Sequence, residues 1–146
     1  KVKKLFKKKN ANVNQVGGED GDTALIAACQ GGQMKVIKHL LKMMDIQVNK
    51  ANKIGTTPLY FACQIGRVAV VKVLIARKEI QINQAVKDGA TPLYITCQKG
   101  HVDVVRLLLA RKEIDINKEF RGGTPLKIAQ KHKFTEIVAL LQQHNA

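Results

Sequence analysis

The chain is 146 residues long, 45% apolar and 25% charged, with 25 Lys and Arg against 11 Asp and Glu for a net charge of +14. That is the size and balance of one globular domain, not of a disordered tail. No apolar run nears the roughly 20 residues that cross a bilayer, and the cysteines and histidines form neither CxxC nor HxxxH, so the spacing of a zinc-type site is missing.

In chain order, Val2–Asn14 reads as the tail of a structural unit whose first helix is missing, and Lys1, Lys3, Lys4, Lys7, Lys8 and Lys9 cluster at the start of the chain. Thr23-Ala24-Leu25-Ile26-Ala27-Ala28-Cys29-Gln30 then opens a helix that Gly32 ends, and Val36, Ile37, Leu40 and Leu41 form the stripe of a second one. The phrase returns as Thr57-Pro58-Leu59-Tyr60-Phe61-Ala62-Cys63-Gln64. Here Thr57 is a good N-cap, and Pro58 takes the first helical position, where a missing N–H is harmless. Gly66 stops that helix. A second runs from about Val68 to Arg77, with Val70, Val71, Leu74 and Ile75 on one face. Ile80 and Ile82 alternate with Gln81, and residues 84–90 carry turn chemistry in Lys87, Asp88 and Gly89.

The third copy begins at Thr91-Pro92-Leu93-Tyr94 and repeats Gly100, Val104, Val105, Leu108 and Leu109. The fourth, Thr124-Pro125-Leu126-Lys127, departs from the pattern: Lys133 replaces the glycine, and Gln142 stands where an apolar residue is due. Polar residues suit a terminal unit with no neighbour beyond it, so residues 124–146 are expected to cap the array. The copies start at 23, 57, 91 and 124, offsets of 34, 34 and 33. A repeat of that length means stacked units, each unable to fold alone. The expected division is one repeat domain, 1–146: a partial unit and finger at 1–22, units at 23–56, 57–90 and 91–123, and the cap at 124–146. Residues recurring in every copy serve the stack, so individuality resides in those that vary.

Thr91-Pro92-Leu93-Tyr94, Gly100-His101, Val104-Val105, Leu108-Leu109 and Asn117 together resemble the ankyrin repeat, and the resemblance spans essentially the whole chain. Two departures stand out. Tyr60 and Tyr94 occupy the place where that family most often has His, and the main spacing is 34 against the usual 33. The finger between Asn117 and Thr124 is one residue short, and that between Asn14 and Thr23 one long. The resemblance implies an all-α solenoid of helix–turn–helix units with β-turn fingers. It also implies a concave face, built from fingers and first helices, that holds other proteins. A monomer belonging to a longer ankyrin protein is expected.

Nothing in the chain forms a recognisable catalytic set. His101 opens a helix and reads as structural, His39 as a partly exposed packing residue, and His132 and His144 as solvated. Gly17-Gly18 and Gly122-Gly123 lack a phosphate-loop lysine signature. The expectation is a non-enzyme with no catalytic residue, metal or cofactor. Cys29, Cys63 and Cys97 share one column. Neighbours in a stack lie about 8–10 Å apart, too far for a disulfide, so they read as small packing residues of an intracellular, cytoplasmic protein.

On the fingers, the partner-binding residues are expected to be Glu19, Asp20 and Asp22; then Lys53, Ile54 and Thr56; then Lys87, Asp88 and Ala90; then Phe120 and Arg121. The first helices add Gln30, Gln64, Ile65, Gln98, Lys99 and Lys131. The first finger is acidic and the later ones basic, a gradient suited to orienting a protein partner, an acidic one included. The alternative is an electrostatic grip on nucleic acid or an anionic membrane surface through Lys38, Lys72 and Arg106 on the convex face. Aromatics at 4% and no Trp disfavour a base-stacking platform. The bland reading of the +14 charge is a solvated face, with Arg77-Lys78 and Arg111-Lys112 turned away from the stack and favoured there by helix dipoles.

Overall fold

The computed structural model describes residues 12–145, so the lysine-rich start of the chain lies outside the described residues. Among them are eight helices in four pairs: α1 (Ala24–Gly31) with α2 (Met34–Leu41), α3 (Pro58–Ile65) with α4 (Val68–Ile75), α5 (Pro92–Lys99) with α6 (Val102–Leu109), and α7 (Pro125–Lys131) with α8 (Thr135–Asn145). First helices pack on first helices and second on second, in chain order. The result is the expected all-α solenoid.

Each first helix starts by the same chemistry. The hydroxyls of Thr23, Thr57, Thr91 and Thr124 accept the N–H groups of Ile26, Tyr60, Tyr94 and Lys127 at 3.2, 3.0, 3.1 and 3.2 Å, satisfying donors that a helix start otherwise leaves open. At the other end, Gly66 sits at φ +80°. A side chain there is excluded twice over, because a Cβ on Gly66 would lie 2.5 Å from His101 Nδ1. The His101 ring lies over the glycine and donates from Nε2 to the Gln64 carbonyl at 3.0 Å, and Arg67 does the same one unit earlier to the Gln30 carbonyl at 3.0 Å. In the last unit Lys133 holds the left-handed conformation at φ 59°.

The core is a ribbon along the stack rather than a centre. Leu25, Leu59 and Leu93 continue one another, as do Leu40, Leu74, Leu108 and Leu141, all essentially inaccessible. Thr96 interrupts the alanine column of Ala28 and Ala62. Its hydroxyl is fully buried and donates to the Pro92 carbonyl at 2.7 Å, which removes the penalty for a polar group there. Gln142, in the fourth pair, is exposed.

Two polar columns tie units together. Asn14, Asn49 and Asn83 each donate to a carbonyl of the next unit (Asp45, Glu79, Glu113) at 2.6–2.7 Å. Each also accepts an N–H two residues further on (Gln47, Gln81, Asp115) at 2.8–2.9 Å. Arg77 and Arg111 correct the sequence reading. Their guanidinium groups do not face away from the stack but reach back to the Leu41 and Ile75 carbonyls, at the end of the preceding second helix. Each is steadied by Glu79 or Glu113 at 2.7 and 2.8 Å. Arg77 beside Glu79 holds that carboxyl below its ordinary range; for Glu113, its own backbone N–H and then Arg111 do so. A helix C-terminus attracts cations, and here the following unit supplies them.

The fingers are joined by main chain. The first contains β1 (Val16–Gly17) paired antiparallel with β2 (Asp22–Thr23). Lys53 N–H bonds the Asp20 carbonyl and Lys87 N–H the Ile54 carbonyl, both at 3.0 Å. The fourth finger, shorter by one residue, is instead tied to the third by an Arg121–Asp88 ion pair at 3.7 Å.

Candidate functional site

Many of the residues that differ between units lie on the face made by the fingers and the C-terminal turns of the first helices. Glu19, Asp20, Lys53, Ile54, Lys87, Asp88 and Arg121 are exposed on the fingers, and Gln30, Ile65, Lys99 and Lys131 on the helices; Gln64 and Gln98 are half-buried. Three expected contact residues are not at tips. Thr56 and Ala90 are 3% exposed, because their carbonyls close the finger by accepting from Asn52 and Val86 N–H at 3.0 Å. Asp22, at the same base position, is half-buried and accepts from Asn52 Nδ2 at 2.9 Å.

Phe120 is also displaced from the role expected of it. With the fourth finger one residue short, it occupies the rung that Val86 holds in the third, and its N–H bonds the Gly123 carbonyl at 2.9 Å. Its ring packs edge-on against Tyr94, centroids 5.0 Å apart and planes at 74°, a preferred aromatic geometry. The Arg121 guanidinium lies 5.0 Å above the same ring.

The acidic-to-basic gradient is present in the exposed side chains, but part of it is spent internally. Lys53 donates to the Glu19 carbonyl at 2.6 Å and lays its stem on Gly21. Arg121 pairs with Asp88. The Lys87 amine makes no hydrogen bond or ion pair with a described residue. Lys87 borders a cavity of about 380 Å³ shared with Ile54, Tyr60, Gln64, Val86 and Asp88. Burial, reinforced by Asp88 and Cys63, raises the Tyr60 phenol above its ordinary pKa. Sequence reasoning did not single out Tyr60 and Val86, which line this cavity. The available signal was that the rung reads Asn52, Val86 and Phe120 in successive units, as variable as any tip.

On the opposite face Lys38, Lys72 and Arg106 are exposed, and Arg106 is paired with Glu136. His101 is structural as described, whereas His39 is exposed rather than packed. Cys29, Cys63 and Cys97 are fully buried, and burial pushes each thiol up to about 12. Thiols so held are not nucleophiles near neutral pH.

A family model described as ankyrin repeats (3 copies) matches residues 1–85 and 78–146. No curated protein matches the chain with significance. The chain belongs to the ankyrin repeat family.

Proposed function

We propose that this ankyrin-repeat array is a non-catalytic module that binds a partner protein through the face formed by its fingers and first helices. Ankyrin repeats are generally protein–protein interaction modules, and fold alone does not name a partner. The observation that carries the reading is the segregation of sequence. The columns shared by the units are consumed by caps, core and inter-unit hydrogen bonds, while finger-tip side chains that differ between units are exposed, with Ile54, Lys87 and Asp88 bordering an open cavity. Exposed Glu19 and Asp20 at one end and Lys87, Lys99, Arg121 and Lys131 towards the other give the face a polarity that orients a partner with an acidic segment over the basic half. The net charge of +14 keeps copies apart, in favour of a monomer. Three buried, uncrosslinked thiols fit a reducing cytoplasmic setting. No described helix is long and apolar enough to cross a membrane.

The test is capture of binding proteins by the wild-type chain and by Lys53→Ala/Lys87→Ala/Arg121→Ala. Lys87→Glu alone serves as a variant that breaks no internal contact. Loss of captured partners is expected, and unchanged capture by both variants refutes the assignment of the face. The electrostatic alternative on the convex side rests on exposed Lys38 and Lys72. It is the weaker reading because Glu136 already neutralises Arg106 in that column. It predicts steeply salt-dependent binding of nucleic acid or anionic vesicles, abolished by Lys38→Glu/Lys72→Glu and indifferent to finger substitutions.

A further inference from the structure

The three gaps between successive fingers are filled to different extents. Asn52, Val86 and Phe120 occupy one rung, since each N–H bonds the carbonyl just before the capping threonine, at 3.0, 3.0 and 2.9 Å. At the first gap Asn52 is buried. It bonds Asp22 Oδ1 at 2.9 Å and accepts the N–H groups of Ile54 and Thr56, and the helix below offers buried Ile26 in place of a tyrosine. At the third gap the Phe120 ring lies edge-on against Tyr94, with Arg121 over it and Asp88 paired to Arg121. At the second gap Tyr60 repeats Tyr94, but the rung holds only Val86, and the space stays open as the cavity of about 380 Å³. Ile54, 63% exposed, forms its apolar lip.

We infer that the gap between the second and third fingers receives an aromatic side chain of a protein partner, set beside a carboxylate that pairs with Lys87. The inference rests on the partner-binding reading of this face and specifies its central anchor. The protein itself supplies the template, because Phe120 shows what a ring does above a tyrosine at this level of the stack. Room is sufficient, since a dry cavity of about 150 Å³ holds benzene. Buried aromatic anchors in well-fitted pockets dominate interface energetics. Charge selects the neighbouring group. Asp88 is already paired with Arg121, whereas the Lys87 amine at the rim has no partner among the described residues, so the residue beside the ring is acidic.

The probe is the peptide acetyl-Glu-Phe-Asp-amide, titrated to several millimolar while the Ile54 methyl and Tyr60 ring signals are followed by NMR. Saturable shifts with Kd near 1 mM are expected, at least about tenfold weaker for the analogue with Ala in place of Phe. Val86→Phe should fill the gap with the chain's own ring and abolish the shifts while the rest of the spectrum is retained. Phe120→Val should open a second site, reported by Tyr94. Equal titration by both peptides, undiminished shifts in Val86→Phe, or no saturable shift overturns the inference. Captured partners separate it from the broader reading. If the lysine and arginine substitutions release them and Val86→Phe does not, the anchor is wrong and the face stands. If neither set releases them, the face itself is wrong.

Discussion

Replacing Gly66 by alanine tests how the units are locked together. Gly66 sits at φ +80°, where a side chain costs about 1–2 kcal/mol. The new Cβ would lie 2.5 Å from His101 Nδ1 and 2.6 Å from Cε1, so the ring must swing out and release the Gln64 carbonyl it holds at 3.0 Å. Losing that hydrogen bond costs about 1–1.5 kcal/mol. The stiffer unfolded chain returns about 0.4–1 kcal/mol. The net loss is about 2 kcal/mol, which for a chain of this size lowers Tm by about 4–8 °C. Urea unfolding followed by circular dichroism measures it directly. The decisive comparison is the same substitution in a His101→Ala background. There only backbone strain remains, so Gly66→Ala should cost about 1 kcal/mol or less, leaving a coupling of about 1 kcal/mol. An equal cost in both backgrounds would show that the ring does not lock the units, and the reasoning fails.

Three further outcomes follow from the same geometry. Lys133 adopts φ 59° with no later unit described above it, so Lys133→Gly should relieve strain and stabilise the chain by about 0.5–1 kcal/mol, read as a higher urea midpoint. Asn83→Ala removes two bonds to the next unit and should cost about 1–2 kcal/mol, whereas exposed Asn117→Ala should stay within about 0.5 kcal/mol. The three thiols are raised from an ordinary 9.0 to about 12 by burial. Below pH 9 they are protonated both folded and unfolded. As pH rises above 9 only the unfolded chain releases these protons, so stability should fall by up to about 4 kcal/mol per pH unit, three thiols at about 1.36 each. Denaturation midpoints between pH 8 and 10.5 check the fall. At pH 7.5 a thiol reagent should label the cysteines only as fast as the chain opens.

How much was legible in the sequence depends on the range over which each interaction acts. Thr57, Pro58 and Gly66 announce a helix from one end to the other because capping and the left-handed turn involve residues only a few positions apart. The stripe Val70, Val71, Leu74 and Ile75 announces its buried face for the same reason, and recurrence at 34 residues makes stacking the outcome of four such pairs. Contacts across that interval were another matter. Asn49 and Asn83 were visible as a column, yet their bridges to the Glu79 and Glu113 carbonyls depend on where the next unit places its backbone. Arg77 and Arg111 looked like solvated helix ends, since nothing local shows that the preceding unit leaves a carbonyl within their reach.

The candidate site divides in the same way. Exposed tips such as Asp20, Lys53 and Lys87 could be counted back from each threonine, because a finger's length is a local property. That count misplaced Thr56, Ala90 and Phe120, because which rung closes a finger is settled by hydrogen bonds and by a finger one residue shorter than its neighbours. Sequence alone therefore determined the repeating unit, its caps and its core, all products of local periodicity and short-range sterics. Only the tertiary stack decided which polar groups are consumed between units and which gap stays open. Those depend on the distance between side chains some 34 residues apart, and on whether the rung above a tyrosine carries an amide, a valine or a ring.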